Sequence, residues 1–597
     1  MEIYPRPRKI CYTGGFSSLP SKLIFKPNEV SGQLENSFKS LEDSFAMFSF
    51  CHRNNDTNFT VRTNCNDIVE QGYRLSFSEG SVSLESSTEA GVFHGLTTLI
   101  QIYQFSQEPV KHFEIEDWPD LKNRGYMLDI SRCKVPKMES LYSLVDSLAL
   151  LKFNQFQLYT EHTFAYANHK IVWENSSPLT ADEIQKLGTY CQNRYIELVP
   201  NQNSFGHLER WLKHDGYKHL AECPDGYEHP IRGWLDHGGT LKPGEDAANF
   251  LASLYDELLP NFQSRQINVG CDETWELGQG RSKARAEQVG KHRVYLEFLK
   301  RVAQLVNGRE KAIQFWGDIV LEEESLVAEL PDNATSLVWG YEANHPFEKQ
   351  VPIFSESGLP FYVAPGTSSW NSVGGRIENA YTNIKSAIHQ AIENEAEGCL
   401  LTDWGDFGHH QPDSISFPGI IWTGCMCWCF AKNQKRSIES AVGRIFLKEP
   451  NPSVAAVLEL LGSIPNYFKY SIPNATILNK LLFQNSKDID SWIHEIPIHE
   501  LEAARERLQE ARSLTEQIRG ETSRIETIRA DLELASELLD YASLKGIRFL
   551  QGKLLTGSEQ TAIIEPLIER FEAQWLKRNR TGGLEESVAY LRAPIKS

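Results

Sequence analysis

The chain is poor in the features that mark membrane, secreted and nucleic-acid-binding proteins. It has no uninterrupted run of the roughly 20 apolar residues that a bilayer-crossing helix needs; the longest, Ile420 to Phe430, is broken by Thr423 and Gly424. The first residues, Met1-Glu2-Ile3-Tyr4-Pro5-Arg6-Pro7, lack the basic start and apolar stretch of a secretory leader. Cysteines number 11, odd and scattered, which fits neither a disulfide framework nor paired zinc knuckles. Their one cluster, Cys425-Met426-Cys427-Trp428-Cys429, lacks the two-residue gap of a common metal pair and reads as buried thiols. Basic residues are outnumbered 60 to 79, giving a net charge of -19 with no basic stripe. Such a field repels phosphate backbones and anionic lipids, so neither nucleic acid nor membrane is an expected partner. No internal repeat or low-complexity tract interrupts the chain. These absences lead to the expectation of a cytoplasmic globular protein.

What is present is length, apolar content and indole. The 597 residues, 41% hydrophobic with 13 Trp, allow several domains, each with its own core. Residues 1–117 mix short alternating segments such as Tyr73-Arg74-Leu75-Ser76-Phe77 with a helical run from Ala90 to Phe105, the pattern of a small α+β domain. Residues 118–470 repeat a different unit, a short β-branched or aromatic run followed by an amphipathic segment. The runs are Arg124–Ser131, Phe153–Glu161, Ile196–Gln202, Gln266–Glu273, Ala312–Asp318, Ser336–Tyr341, Phe361–Gly366 and Cys399–Trp404. Helices are predicted over Met138–Leu151, Ala181–Arg194, Lys291–Val306 and Ile377–Glu395. The count and length predict an α/β fold of the (β/α)8, or TIM, barrel type; a doubly wound open sheet is the alternative. In residues 471–597 strand signals vanish, and Leu501 to Leu539 is dense in Glu, Arg, Ala and Leu, predicting an all-α domain.

In such a barrel, groups at the C-terminal ends of the strands converge on one mouth. The run ends read Asp129-Ile130-Ser131-Arg132, Tyr159-Thr160-Glu161-His162, Gly206-His207, Cys271-Asp272-Glu273, Trp316-Gly317-Asp318, Trp339-Gly340-Tyr341, Pro365-Gly366 leading to Trp370, and Trp404-Gly405-Asp406. Indole faces around carboxylates suit a pyranose, whose C–H face stacks on the ring while its hydroxyls take charge-assisted hydrogen bonds. Glycoside hydrolysis needs an acid to protonate the leaving oxygen and a group to stabilise the electron-poor carbon. Asp272 and Glu273 are adjacent, so they need not face one another across the bond as nucleophile and acid.

The stretch Arg124-Gly125-Tyr126-Met127-Leu128-Asp129-Ile130-Ser131-Arg132, the Asp272-Glu273 pair after Gly270, and Trp404 with Asp406 resemble the family 20 glycoside hydrolases, the β-N-acetylhexosaminidases. The layout is most similar to three-domain bacterial exo-N-acetylglucosaminidases. The resemblance implies release of terminal β-linked N-acetylglucosamine, and of N-acetylgalactosamine, from oligosaccharides or glycoconjugates by a retaining, substrate-assisted mechanism. It implies Glu273 as general acid and base and Asp272 as the group that orients the acetamido N–H. Arg124 and Asp406 would bind the sugar hydroxyls, and Trp316, Trp339 and Trp404 would wall the acetamido pocket. His207, with Glu161 behind it, would tune the acid. Neither metal nor cofactor is expected, and a homodimer through the helical tail is.

Several positions depart from the family pattern. Asn268 stands where the family has His, an insertion separates Pro200 from Gly206-His207, and the second strand lacks a Trp-His start. Trp370 occupies the place of the Tyr that caps the acetamido oxygen, for which Tyr341 is a substitute. Arg124 also reads as a structural partner of a barrel carboxylate, and Trp316 and Trp339 as plain core. Two other functions remain open: an O-linked N-acetylglucosamine hydrolase of another barrel family, disfavoured because those carry an Asp-Asp pair, and a non-catalytic acetamido-sugar-binding protein, disfavoured by Glu273.

Overall fold

Eight parallel strands occupy the eight predicted runs: β1 (Asn123–Asp129), β2 (Gln155–Tyr159), β3 (Glu197–Val199), β4 (Gln266–Asn268), β5 (Ala312–Trp316), β6 (Thr335–Trp339), β7 (Phe361–Ala364) and β8 (Gly398–Asp403). This is a computed structural model, and it describes residues 1–26, 30–45, 49–53, 56–230, 233–435 and 437–595. Strand order is β3-β2-β1-β8-β7-β6-β5-β4, and a parallel bridge between Asn201 and Asn268 joins the two ends into a barrel. Strands buried on both faces must be apolar nearly throughout; all of β2, β7 and β8 is buried. Seven of the strands are shorter than their runs and β8 equals its run in length; in each, the last residues of the run lie beyond the ladder.

The helices follow their sequence patterns closely, at Met138–Leu150, Ala181–Gln192, Lys291–Asn307 and Ile377–Glu393. Helix Ala181–Gln192 starts on a capping box, Thr180 and Glu183 each satisfying the other's backbone N–H. Helix Lys291–Asn307 buries Val294, Phe298, Leu299, Val302 and Val306 on one face, each worth about 1.5–3 kcal/mol on removal from water. Helix Phe417–Asn433 holds Cys425, Cys427 and Cys429 as buried free thiols. The helical segment Asp413–Asn433 is, contrary to the reading of its apolar run, long and apolar enough to cross a membrane by composition; 89% of its apolar window is buried inside the protein. It is a core helix packed on Ile377–Glu393.

Inside the barrel a polar layer underlies the mouth. Gln157 Nε2 donates to Gln314 Oε1 (2.7 Å), while Asn201 and Asn268 both donate to Gln157 Oε1 (3.2 and 3.1 Å). Above it lies an aromatic cluster of Tyr159, Trp316, Tyr362, Trp370 and Trp404.

The N-terminal five-stranded sheet ends with Val110–Asp117 and carries helix Glu89–Phe105. Beyond the barrel the chain is helical, with Ile498–Thr515, Ser523–Leu550, Gly557–Arg578 and Leu584–Arg592. The stretch from Leu501 to Leu539 runs through two of these helices, broken before Ser523 where Gly520 adopts φ +119°. Helix Pro452–Ser463, read as part of the barrel unit, packs on both the barrel helix Ile377–Glu393 and the C-terminal helix Ile498–Thr515.

Candidate active site

Beyond the end of β4 the chain turns through Gly270, Cys271, Asp272 and Glu273, of which Gly270, Cys271 and Glu273 all have positive φ (67°, 70° and 48°). Left-handed backbone at non-glycine residues costs of order 1–3 kcal/mol and is held only where surrounding structure fixes it. Asn268 supplies one such hold: its Oδ1 accepts from Gly270 N at 2.9 Å. The residue that departs from the family pattern thus links the polar layer to the acidic turn. A second constraint is close backbone approach. A Cβ on Gly206 would lie 2.4 Å from the Asp272 carbonyl oxygen, so only glycine fits there. The insertion after Pro200 therefore leaves His207 beside the acidic pair.

His207 Nε2 lies 3.3 Å from Asp272 Oδ2 and 3.6 Å from Glu273 Oε2. Burial works against the imidazolium, but the Asp272 carboxylate outweighs it and pushes the His207 pKa up to about 10. The three groups present atoms within 4.8 Å of one another, a spacing a metal ion could use. When protonated, the His207 ring stands within ion-pair distance of both carboxylates. The two carboxylates differ in setting: the Asp272 side chain is 10% exposed and that of Glu273 37%. Asp272 Oδ1 is buried with no hydrogen-bond partner among the described residues.

Trp316, Trp339, Trp370 and Trp404 wall the pocket with Tyr341; Arg132, His207, Asp272, Glu273 and Asp406 supply its charge, and its volume is about 310 Å³. Trp404 Nε1 donates to Tyr341 Oη at 2.9 Å; Tyr341 stacks on Trp339 (5.2 Å, 26°) and meets Trp370 edge-on (5.1 Å, 90°). The Nε1 atoms of Trp316 and Trp370 are buried without a partner. Asp406 accepts from Asn371 Nδ2 at 2.9 Å, and burial lifts its pKa to about 6 despite the nearby Arg132. Glu161 lies beneath this layer, accepting from Tyr159 Oη at 3.0 Å and paired with Arg132 at 3.2 Å. Its ion pair is with Arg132, and the His207 charge also acts on it.

Arg124 is the correction. It is fully buried at the opposite end of the barrel, where its Nε donates to Lys152 O (2.7 Å), its Nη1 to Leu121 O and Lys122 O (2.9 Å each) and its Nη2 to Gln71 Oε1 (2.8 Å). Its guanidinium also lies over the Trp428 ring at 5.1 Å. The second residue of a parallel barrel strand sits at the N-terminal face, so about 17 Å of strand separates Arg124 from Asp129 at the mouth. The arginine in the pocket is Arg132, three residues past Asp129, fixed by Asp129 (3.2 Å) and Glu161 and lying over the Tyr159 and Trp404 rings at 4.5 and 5.1 Å. The rule that β1 begins at Arg124 and ends near Asp129 was the available signal. Glu342, His345, Pro473 and Asn474 also line the pocket and carried no sequence signal. Asn474, from the helical region, donates its backbone N–H to Glu342 Oε1 at 2.7 Å.

Asp318, at the end of β5, was noted in sequence without a role. Its Oδ2 accepts from Glu273 N at 3.3 Å. Burial first, and then the Asp272 charge, push its pKa up to about 8, so it is mainly protonated at neutral pH. Because the folded pKa exceeds the unfolded value near 3.9, the folded state binds the extra proton between these values. The group's contribution to stability is therefore lost as pH rises from about 4 to about 8. The variant Asp318→Asn is expected to gain stability over wild type as pH rises through this window, and to keep its activity further above pH 8, where ionised Asp318 would add a third negative charge beside Asp272 and Glu273. Paired melting curves and pH–rate profiles check this; superimposable profiles would refute it.

Comparison with known proteins agrees with this geometry. The family model described as glycosyl hydrolase family 20, catalytic domain, matches residues 122–386, and that for domain 2 of the same family matches residues 1–118. The β-hexosaminidase subunit beta of Felis catus is 26% identical over 368 residues, 57% of this chain and 66% of that protein's length; the match to subunit A1 of the Dictyostelium discoideum β-hexosaminidase spans 40% of its length. Among solved structures, the chitobiase of Flavobacterium johnsoniae superposes with a TM-score of 0.61 at 17% identity, covering 99% of both chains. With the barrel, its flanking domains and the acidic turn in place, the chain belongs to glycosyl hydrolase family 20 and carries that family's catalytic domain.

Proposed function

We propose that this protein is an exo-acting, retaining β-N-acetylhexosaminidase that releases terminal β-linked N-acetylglucosamine, and N-acetylgalactosamine, by substrate-assisted catalysis. The observation that carries this reading is Asp272 Oδ1, a buried carboxylate oxygen with no donor among the described residues, next to a more exposed Glu273. A buried acceptor left unpaired costs about 1–3 kcal/mol, and an acetamido N–H would satisfy it. The solved Vibrio harveyi exo-β-N-acetylglucosaminidase, with a TM-score of 0.59 at 16% identity over 77% of this chain and 78% of that one, is described in complex with N-acetylglucosamine.

In this mechanism Glu273 gives its proton to the glycosidic oxygen as the C1–O bond breaks and its electron pair passes to that oxygen. The acetamido oxygen closes on C1 from the opposite face, and Asp272 accepts from the N–H as positive charge spreads over the oxazolinium ring. Glu273, now a carboxylate, takes a proton from water; the water oxygen bonds to C1, the ring reopens, and the configuration is retained. Arg132 and Asp406 bind ring hydroxyls, Arg132 taking the role first read for Arg124. Tyr341 accepts from Trp404, so its own O–H proton can reach the acetamido oxygen. Trp370 forms pocket wall.

Release of nitrophenol tests the proposal. The β-N-acetylglucosaminide and β-N-acetylgalactosaminide are expected to turn over, and the plain β-glucoside at least about 10³-fold more slowly, since it lacks the internal nucleophile whose proximity is worth several kcal/mol. Comparable hydrolysis of the glucoside would mean an enzyme-borne nucleophile and would overturn the mechanism.

A further inference from the structure

A second cavity, of about 430 Å³, lies between the outer wall of the barrel and the C-terminal helices and shares no lining residue with the pocket at the mouth. Leu141 and Leu144 of helix Met138–Leu150, Phe417 and Ile420 of helix Phe417–Asn433, Phe446, and Ile528 form its apolar wall. Four cations line it, Lys134, Arg524, Lys577 and Arg578, and they differ in how they are compensated. Arg578 pairs with Asp531 and lies 3.3 Å from Asp413; Lys134 Nζ donates to Gln411 O at 2.7 Å and is 3.9 Å from Asp413. Arg524 donates to Ser143 Oγ and has no carboxylate within ion-pair distance among the described residues.

The setting makes that gap costly. Arg524 is only partly exposed, and burial, opposed by the nearby Asp146 carboxylate and aided by the Arg578 charge, lowers its pKa; a desolvated charge with no ion pair of its own is disfavoured. It stands in the first turn of the 28-residue helix Ser523–Leu550, an end where the helix dipole favours negative charge and where the Thr522 cap takes Ile525 N and Glu526 supplies one carboxylate. A third observation is Ser414, which lines the same cavity, is 1% exposed and has a hydroxyl with no partner among the described residues. Glu139 and Lys577, opposite in charge, also line the cavity, as do the carboxylates Asp129 and Asp403.

We propose that this cavity binds an organic anion with an apolar body, its head at Arg524 and the first turn of helix Ser523–Leu550 and its body against Leu144, Phe417, Phe446 and Ile528. The volume lies in the range of small-molecule sites, about 300–1,000 Å³. A carboxylate and a phosphate share the chemistry that Arg524 recognises.

Calorimetric titration of the full chain with octanoate, octyl phosphate and 1-octanol tests the proposal, in wild type, Arg524→Gln and Ile528→Trp. One or both anions are expected to bind wild type at least about tenfold more tightly than octanol, the difference that a charged hydrogen bond supplies. The tighter anion assigns the head group. Arg524→Gln is expected to lose that margin while octanol is unchanged, Arg524→Lys to recover part of it, and Ile528→Trp to weaken all three by filling the wall. Absence of binding by both anions at millimolar concentration, equal binding of octanol, or anion affinity untouched by Arg524→Gln in a folded protein would each overturn it.

Discussion

Glu273→Gln is expected to lower kcat on the N-acetylglucosaminide by about 10²–10⁴-fold, the range for a single general acid–base group, with KM changed by less than tenfold. The amide keeps the shape of the side chain and removes the transferable proton. Glu273 is over a third exposed at the rim of a pocket, so its substitution leaves no buried cavity, and the melting temperature should move little. The size of the loss depends on the leaving group. A nitrophenolate departs with little protonation, so the defect there reports mainly on activation of water; a sugar alkoxide needs the proton to leave. The expected defect is therefore larger on a disaccharide of N-acetylglucosamine than on the nitrophenyl substrate. Retention of more than a tenth of wild-type activity on the disaccharide would remove Glu273 from the acid role.

The two arginines provide the second large effect, because they separate function from stability. Arg132→Lys keeps a positive charge near Asp129 and Glu161 but loses the planar fork that spans them and reaches the pocket. It is expected to reduce kcat/KM by about 10²-fold through charged hydrogen bonds to substrate worth about 1.5–3 kcal/mol. Arg124→Met is expected to do the opposite. It strands the acceptors at Lys152, Leu121, Lys122 and Gln71 in a dry interface between the N-terminal domain and the barrel base, which should cost about 3–5 kcal/mol of stability, the range for breaking a buried charged network. Folded Arg124→Met should hydrolyse substrate within a few-fold of wild type. Chemical denaturation and kinetics on both variants check the pair; a kinetic defect in a stable Arg124→Met would restore the first reading of that residue.

Both arginines lie within one nine-residue stretch, and their separation shows where a linear reading stops. The stretch from Arg124 to Arg132 carries the family likeness as a whole, and the likeness does not say which end meets substrate. Strand geometry does: the first residues of β1 lie at the base and the residues after Asp129 at the mouth. In the same way Trp316, Trp339 and Trp404 were legible because each ends a strand, whereas Glu342, Pro473 and Asn474 arrive from loops whose course depends on distant packing. Asn268 was visible as a departure, but its compensation, a hydrogen bond to the backbone of Gly270, appears only with the barrel closed.

The sequence by itself determined the barrel. Parallel strands buried on both faces and helices buried on one impose period and composition on each segment independently, so eight runs and their helices can be read without knowing where the others lie. It also determined the acidic pair and most of the indoles, since these terminate strands and the mouth is a fixed end of the fold. Only the tertiary structure decided which arginine reaches the pocket, which carboxylate is left without a donor among the described residues, and that Arg524, with no ion pair there, faces a cavity behind the barrel. Those properties depend on which groups stand within a few ångströms of one another after hundreds of intervening residues have packed, and charge and hydrogen-bond satisfaction are set at that range.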